Sequence, residues 1–203
     1  MDIYTKLLER YTDDPMRIRN FSSELLEAYT AADRHYHTLQ HLQQMLNVLE
    51  PVKEWFSDPD TLLFALFYHD IVYKVSRKDN EEKSAELARE RLSALAYPST
   101  GMERCRQMIL ATKGHTASGD TDIDLFTDAD LSILGSSPEQ YRTYAAQVRR
   151  EYAIYPDPVY GPGRKKVLQH FLEMPFIFKT LYFRTAYESR ARQNIQQELD
   201  TLF

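Results

Sequence analysis

The chain has 203 residues, 43% hydrophobic and 27% charged, the makeup of a globular protein able to bury a core. Its 30 acidic residues outnumber 25 basic ones, giving a formal net charge of −5. That balance argues against a nucleic acid polymer as partner, because a phosphate backbone is bound by a basic face.

Taken in chain order, nearly every segment carries a helical period. "IYTKLLERY" sets Ile3, Leu7, Leu8 and Tyr11 along one face, and Ile18, Phe21, Leu25 and Tyr29 continue the pattern. "HTLQHLQQMLNVLEP" follows, with Leu39, Leu42, Leu46 and Leu49 apolar and Pro51 closing it. Asp58 and Pro59 supply a cap and a first turn for "TLLFALFY". Asp79 with Glu82, Thr100 with Glu103 and Ser137 with Gln140 each have capping-box spacing ahead of a helical pattern. The longer irregular pieces are "GHTASGDTD" (114–122) and "YPDPVYGPG" (155–163). Strand signals are lacking: there is no Asn-Gly turn and no sustained alternation. The expected fold is all-α, one domain over residues 1–203, with a core at about 15–150 and a C-terminal helical extension at about 163–203.

Cys105 is the sole cysteine and sits in the helix-patterned "MERCRQMIL", so it reads as a packed thiol in a reducing compartment. The N-terminal "MDIYTKLLERY" is charged and amphipathic, unlike a secretory signal. No apolar run approaches the roughly 20 residues that span a bilayer. A cytoplasmic protein with no membrane partner is expected.

Four polar clusters interrupt this apolar pattern. The run "LLFALFY" ends in the adjacent pair His69 and Asp70. Upstream, "RHYHTLQHL" places His37 and His41 four residues apart, the spacing that puts two imidazoles on one helical face. "FTDADLSILG" sets Asp128 and Asp130 among Phe126, Leu131, Ile133 and Leu134, and "ILATKGH" closes another apolar segment with His115. A lone carboxylate in an apolar segment needs a cation or dense hydrogen bonding. Histidine with carboxylate suits a divalent ion such as Mn, Fe, Co, Ni, Zn or Mg.

In order and type these residues resemble the HD-domain metal-dependent phosphohydrolases, whose pattern is a histidine, an adjacent His-Asp and a distant aspartate. "HLQQML", "FYHD" and "ADLSIL" match the three elements. "YHTLQH" is similar to the Tyr-His-x-x-x-His of cyclic nucleotide phosphodiesterases, a branch of the same superfamily. "RHYHTLQH", "DNEEKSAELA", "TDADLSILG", "GPGRKKVLQHFL" and "ARQNIQQEL" resemble a bacterial group of predicted HD-superfamily phosphohydrolases, from about residue 33 onward. The chain departs from the cyclic-di-GMP enzymes in having no Gly-Tyr-Pro near the site.

The resemblance implies metal ligands at His41, His69, Asp70 and Asp130, and a proton donor at His37. Register leaves His37 competing with His41 as first ligand, and Asp128 with Asp130. With a second ion, Asp70 would bridge, with His115 and Asp128 as candidate outer ligands and Glu82 as a residue that could orient one. Asp70 and His37 are the expected catalytic residues. The reaction implied is attack of metal-activated water at phosphorus, on a small phosphorylated molecule such as a nucleotide. Arg34, Lys74, Lys113 and Arg164 are the motif-associated candidates for phosphate contact. A non-catalytic sensor that keeps the scaffold is an alternative. So is a di-iron oxygenase, which the supply of only six histidines disfavours.

Overall fold

The computed structural model describes residues 2–202. It is all-α, and among the described residues no strand is formed. None of the described helices is long and apolar enough to cross a membrane. Contacts divide the chain into two units, Met1–Thr127 and Asp128–Phe203.

The first unit holds α1 (Asp2–Leu8), α2 (Pro15–Tyr29), α3 (Leu39–Leu49), α4 (Pro59–Tyr68), α5 (Asn80–Ala94) and α6 (Ser99–Ala111). It also holds the first two turns of α7 (Thr121–Leu131), so the division between units falls inside one continuous helix. The α4 helix is the axis of this unit. It starts where sequence places it, with Asp58 accepting from the Thr61 backbone N–H at 3.1 Å. Apart from its first turn its residues are apolar nearly all round, as a helix enclosed by others must be. It packs against α1, α3, α5 and α6. Phe64, Leu66 and Tyr68 are fully buried, each contributing about 1.5–3 kcal/mol by removal from water. Tyr68 carries its hydroxyl to Tyr4 of α1 at 2.6 Å, which satisfies both buried groups. Cys105 is wholly buried in α6, and burial pushes its thiol well above the ordinary range, as expected of a packed thiol.

The second unit runs through a 3₁₀ turn (Ser132–Gly135), α8 (Pro138–Glu151), α9 (Asp157–Glu173), α10 (Leu181–Phe183), a π-turn (Arg184–Glu188) and α11 (Ser189–Thr201). The capping box at Ser137 and Gln140 is formed in full. The α11 helix packs on the 3₁₀ turn, the π-turn and α9. Gly135 is required where it stands, because a Cβ there would lie 2.6 Å from the Tyr187 carbonyl. Glu198 of α11 takes a two-pronged ion pair from Arg164 at 2.8 and 3.0 Å and a bond from Tyr141 at 2.6 Å.

Three local expectations are corrected. Residues 157–163 are helical, although Pro158, Gly161, Pro162 and Gly163 read as a loop. Pro158 falls in the first turn, where a missing N–H costs nothing, and Pro162 forgoes one helical bond in a helix that buries Gly161, Arg164 and Leu168. Two capping boxes are not formed: Asp79 starts α5 with no side-chain cap bond, its carboxylate held by Arg77 at 2.8 and 2.7 Å, and Thr100 does not cap α6, which begins at Ser99 behind Pro98. Glu103 instead accepts from Arg106 and Gln107. The third correction concerns His37. Thr38 is the cap of α3, its hydroxyl accepting from the Gln40 N–H at 3.3 Å, so His37 lies before the helix and does not share a helical face with His41.

Candidate metal centre

The centre is built at the C-terminal end of α4. A helix leaves its last four carbonyls without intrahelical partners, and here each is answered. Ala65 O accepts from the His69 N–H at 2.9 Å, and Tyr68 O from the Ile71 N–H at 3.2 Å. Phe67 O accepts from the Tyr29 hydroxyl at 3.1 Å. Leu66 O lies 2.8 Å from Nδ1 of His69 itself. A carbonyl only accepts, so Nδ1 carries the proton. In the neutral ring Nε2 therefore presents a lone pair.

That Nε2 faces the other expected ligands. It stands 3.2 Å from His41 Nε2 and 3.1 Å from Asp70 Oδ2, and His41 Nε2 is 3.9 Å from the same oxygen. His41 and His69 are buried, with 2% and 1% exposure, while the Asp70 side chain keeps 16%. Asp130 lies on α7. Phe126 of that helix packs edge-on against the His69 ring, centroids 5.9 Å apart, and Asp130 is one turn further along the same face. Donor atoms bound about 2.1 Å from one ion stand roughly 3–3.5 Å apart, so the donor atoms of His41, His69 and Asp70, separated by 3.1, 3.2 and 3.9 Å, come near the spacing and have the chemistry for a divalent cation.

His37 sits at the rim. Its Nε2 is 3.9 Å from Asp70 Oδ2, its side chain is 20% exposed, and its ring lies on Tyr73 with centroids 4.0 Å apart and planes 29° apart. Its ring centroid is 5.9 Å from that of His41, and Tyr36 touches both rings. The His41 ring thus stands nearest the His69 lone pair, with His37 outside it. Sequence reading missed Tyr73 and Tyr36; the aromatic three residues beyond Asp70 in "HDIVY" was the available signal.

The remaining candidates go elsewhere. Asp128 is fully buried, yet two helical residues from Asp130 means about 200° around the axis. Its carboxylate accepts from the Lys179 and Thr180 backbone N–H groups and from the Thr180 hydroxyl, and pairs with Lys179 Nζ at 2.8 Å. Glu82 is on the surface with Lys113, whose ammonium also donates to Lys78 O; that pairing holds the Glu82 carboxyl below its usual range. Lys74 pairs with Asp33 at 2.7 Å. Arg164 is committed to Glu198. Arg34 donates to backbone carbonyls at 70 and 71 and at 37. His115 has a positive φ of 49° at the end of the turn after α6.

No family model, curated protein or solved structure matches the chain.

Proposed function

We propose that this protein is a metal-dependent phosphohydrolase of the HD type, acting on a small phosphorylated molecule such as a nucleotide. The observation that supports it best is the His69 ring, whose Nδ1 donates to Leu66 O and whose Nε2 faces His41 and Asp70. A ligand imidazole held by a hydrogen bond from its other nitrogen is the usual arrangement at a metal. His41, His69, Asp70 and Asp130 would hold the ion, in keeping with the ordered motif match. A divalent ion held there supplies Lewis-acid activation of water and of a phosphoryl oxygen.

The chain's own residues divide the remaining tasks. Asp70, partly open to solvent, lies between the buried imidazoles and His37. His37, braced against Tyr73, is placed to pass a proton to a leaving oxygen while the buried histidines remain ligands. Screening phosphate release across nucleotides and phosphomonoesters, with manganese supplied and its content measured, tests this reading. Release from a panel member that disappears in Asp70→Asn supports it.

A second reading, a metal-binding sensor without turnover, draws on a different observation. Arg34, Lys74, Lys113 and Arg164 are all engaged by protein partners. Tight nucleotide binding with no phosphate released from any panel member would favour it.

A further inference from the structure

We infer that Arg34 is a positioning residue for the histidine–aspartate cluster and not a phosphate contact; this rests on the reading of that cluster as a metal site. Arg34 is only 8% exposed. Its Nη1 donates to Asp70 O at 2.7 Å and to His37 O at 3.2 Å, and its Nη2 donates to Ile71 O at 2.8 Å. One planar guanidinium thus binds the segment that carries His37 and leads into α3 to the backbone that carries Asp70. The plane is itself held from the side: its central carbon lies 4.8 Å from the Tyr29 ring centroid and 5.7 Å from that of Tyr73. Tyr73 in turn stacks on His37.

The two segments joined this way are far apart in sequence. His41 follows His37 by four residues, and His69 directly precedes Asp70, so the clamp sets the distance between the segments that carry His41 and His69. Lysine cannot take its place: an ammonium is a point charge without the fork that serves carbonyls on two segments at once. The carbonyls take three of the five guanidinium donors, including both on Nη1, and the side chain is buried.

Manganese binding to wild type, Arg34→Lys and Arg34→Gln separates these roles, measured at low temperature on protein whose helical circular dichroism shows it folded. Both variants should bind manganese about 10–100-fold more weakly, as loss of an outer support of metal ligands typically does. The electron paramagnetic resonance spectrum of the bound ion should change as well. With manganese saturating, affinity for inorganic phosphate should stay at the wild-type value. Tyr29→Phe is the structural control, since it loses the bond to Phe67 O but keeps the ring beside the guanidinium. It should melt lower with unchanged manganese affinity. If Arg34→Gln does not fold, Arg34→Lys and the control carry the comparison.

Wild-type manganese affinity in Arg34→Lys would overturn the inference and leave the metal site standing. So would an equal loss of affinity in Tyr29→Phe, or a fall in phosphate affinity alone. Failure of the wild type to bind manganese would overturn both.

Discussion

His41 Nε2 lies 3.2 Å from His69 Nε2, and the other ring nitrogen of His69 donates to Leu66 O. Two imidazoles at that distance need a proton or a cation between them, since two lone pairs would repel. His41→Ala should therefore abolish manganese binding, while His37→Ala should retain it and lose turnover by roughly 10²–10⁴-fold. Isothermal titration with manganese and a phosphate-release assay on the same preparations check both. Equal loss of metal in the two variants would reverse their roles.

Metal binding should also stabilise the fold. An ion bound only by the native state adds RT ln(1 + [L]/Kd), about 2.7 kcal/mol at a hundredfold excess over Kd. For a chain of this size that corresponds to roughly 5–10 °C in melting temperature. Chelation should lower the melting temperature by that amount and leave the helical circular dichroism intact, because α4 and its neighbours bury a core of their own. A differential scan showing identical melting with and without bound manganese would contradict this.

Asp128 and Asp130 should part company on mutation. Asp128→Ala leaves Lys179, whose side chain is 5% exposed, without its counter-charge, a loss of about 3–5 kcal/mol for a broken buried pair. It should leave the manganese affinity of folded protein unchanged. Asp130→Ala should weaken manganese binding and cost far less stability. Denaturant melts paired with manganese titrations distinguish the two.

The separation of these two aspartates was available in the sequence only as a helical angle, and the angle alone does not say which face meets the histidines. Phe126 settles that by packing on His69. The caps at Asp58 and Ser137 were legible because a single side chain and its own helix form them. The role of Arg34 was not, since its partners are carbonyls at positions 37, 70 and 71, and a backbone acceptor leaves no mark on residue type. His37 and His41 were placed on one helix by spacing, but Thr38 between them bonds to the Gln40 N–H and starts the helix there. The 157–163 segment reads as a loop because proline in a first turn and proline in a loop look alike without knowing where the turn begins.

Asp120 predicts an acid-sensitive element. It caps α7, accepting from the Asp122 and Ile123 N–H groups at 3.0 and 3.2 Å, and takes both ends of the Arg104 guanidinium at 2.9 and 2.8 Å. Burial raises its pKa, but the Arg104 bonds and the backbone donors outweigh it, and the carboxyl rests below its ordinary value near 3.8. The unfolded chain then takes up this proton first as pH falls. The stabilisation is complete above about pH 4 and drains away as pH drops through the lower, folded value. Asp120→Ala should cost about 1 kcal/mol near neutrality, the usual worth of such a cap, and flatten the acid limb of the stability profile. Urea melts at pH 7 and pH 3 on both proteins measure it.

His69 closes α4 as well as facing the donor cluster, since its ring N–H satisfies a carbonyl that the helix leaves open. Selection for folding and selection for chemistry thus fall on the same atom pair, and a lineage that abandoned metal would still be penalised for replacing this histidine. Retention of a histidine at this position among descendants would measure the need to end a helix, and says little about whether the reaction survives.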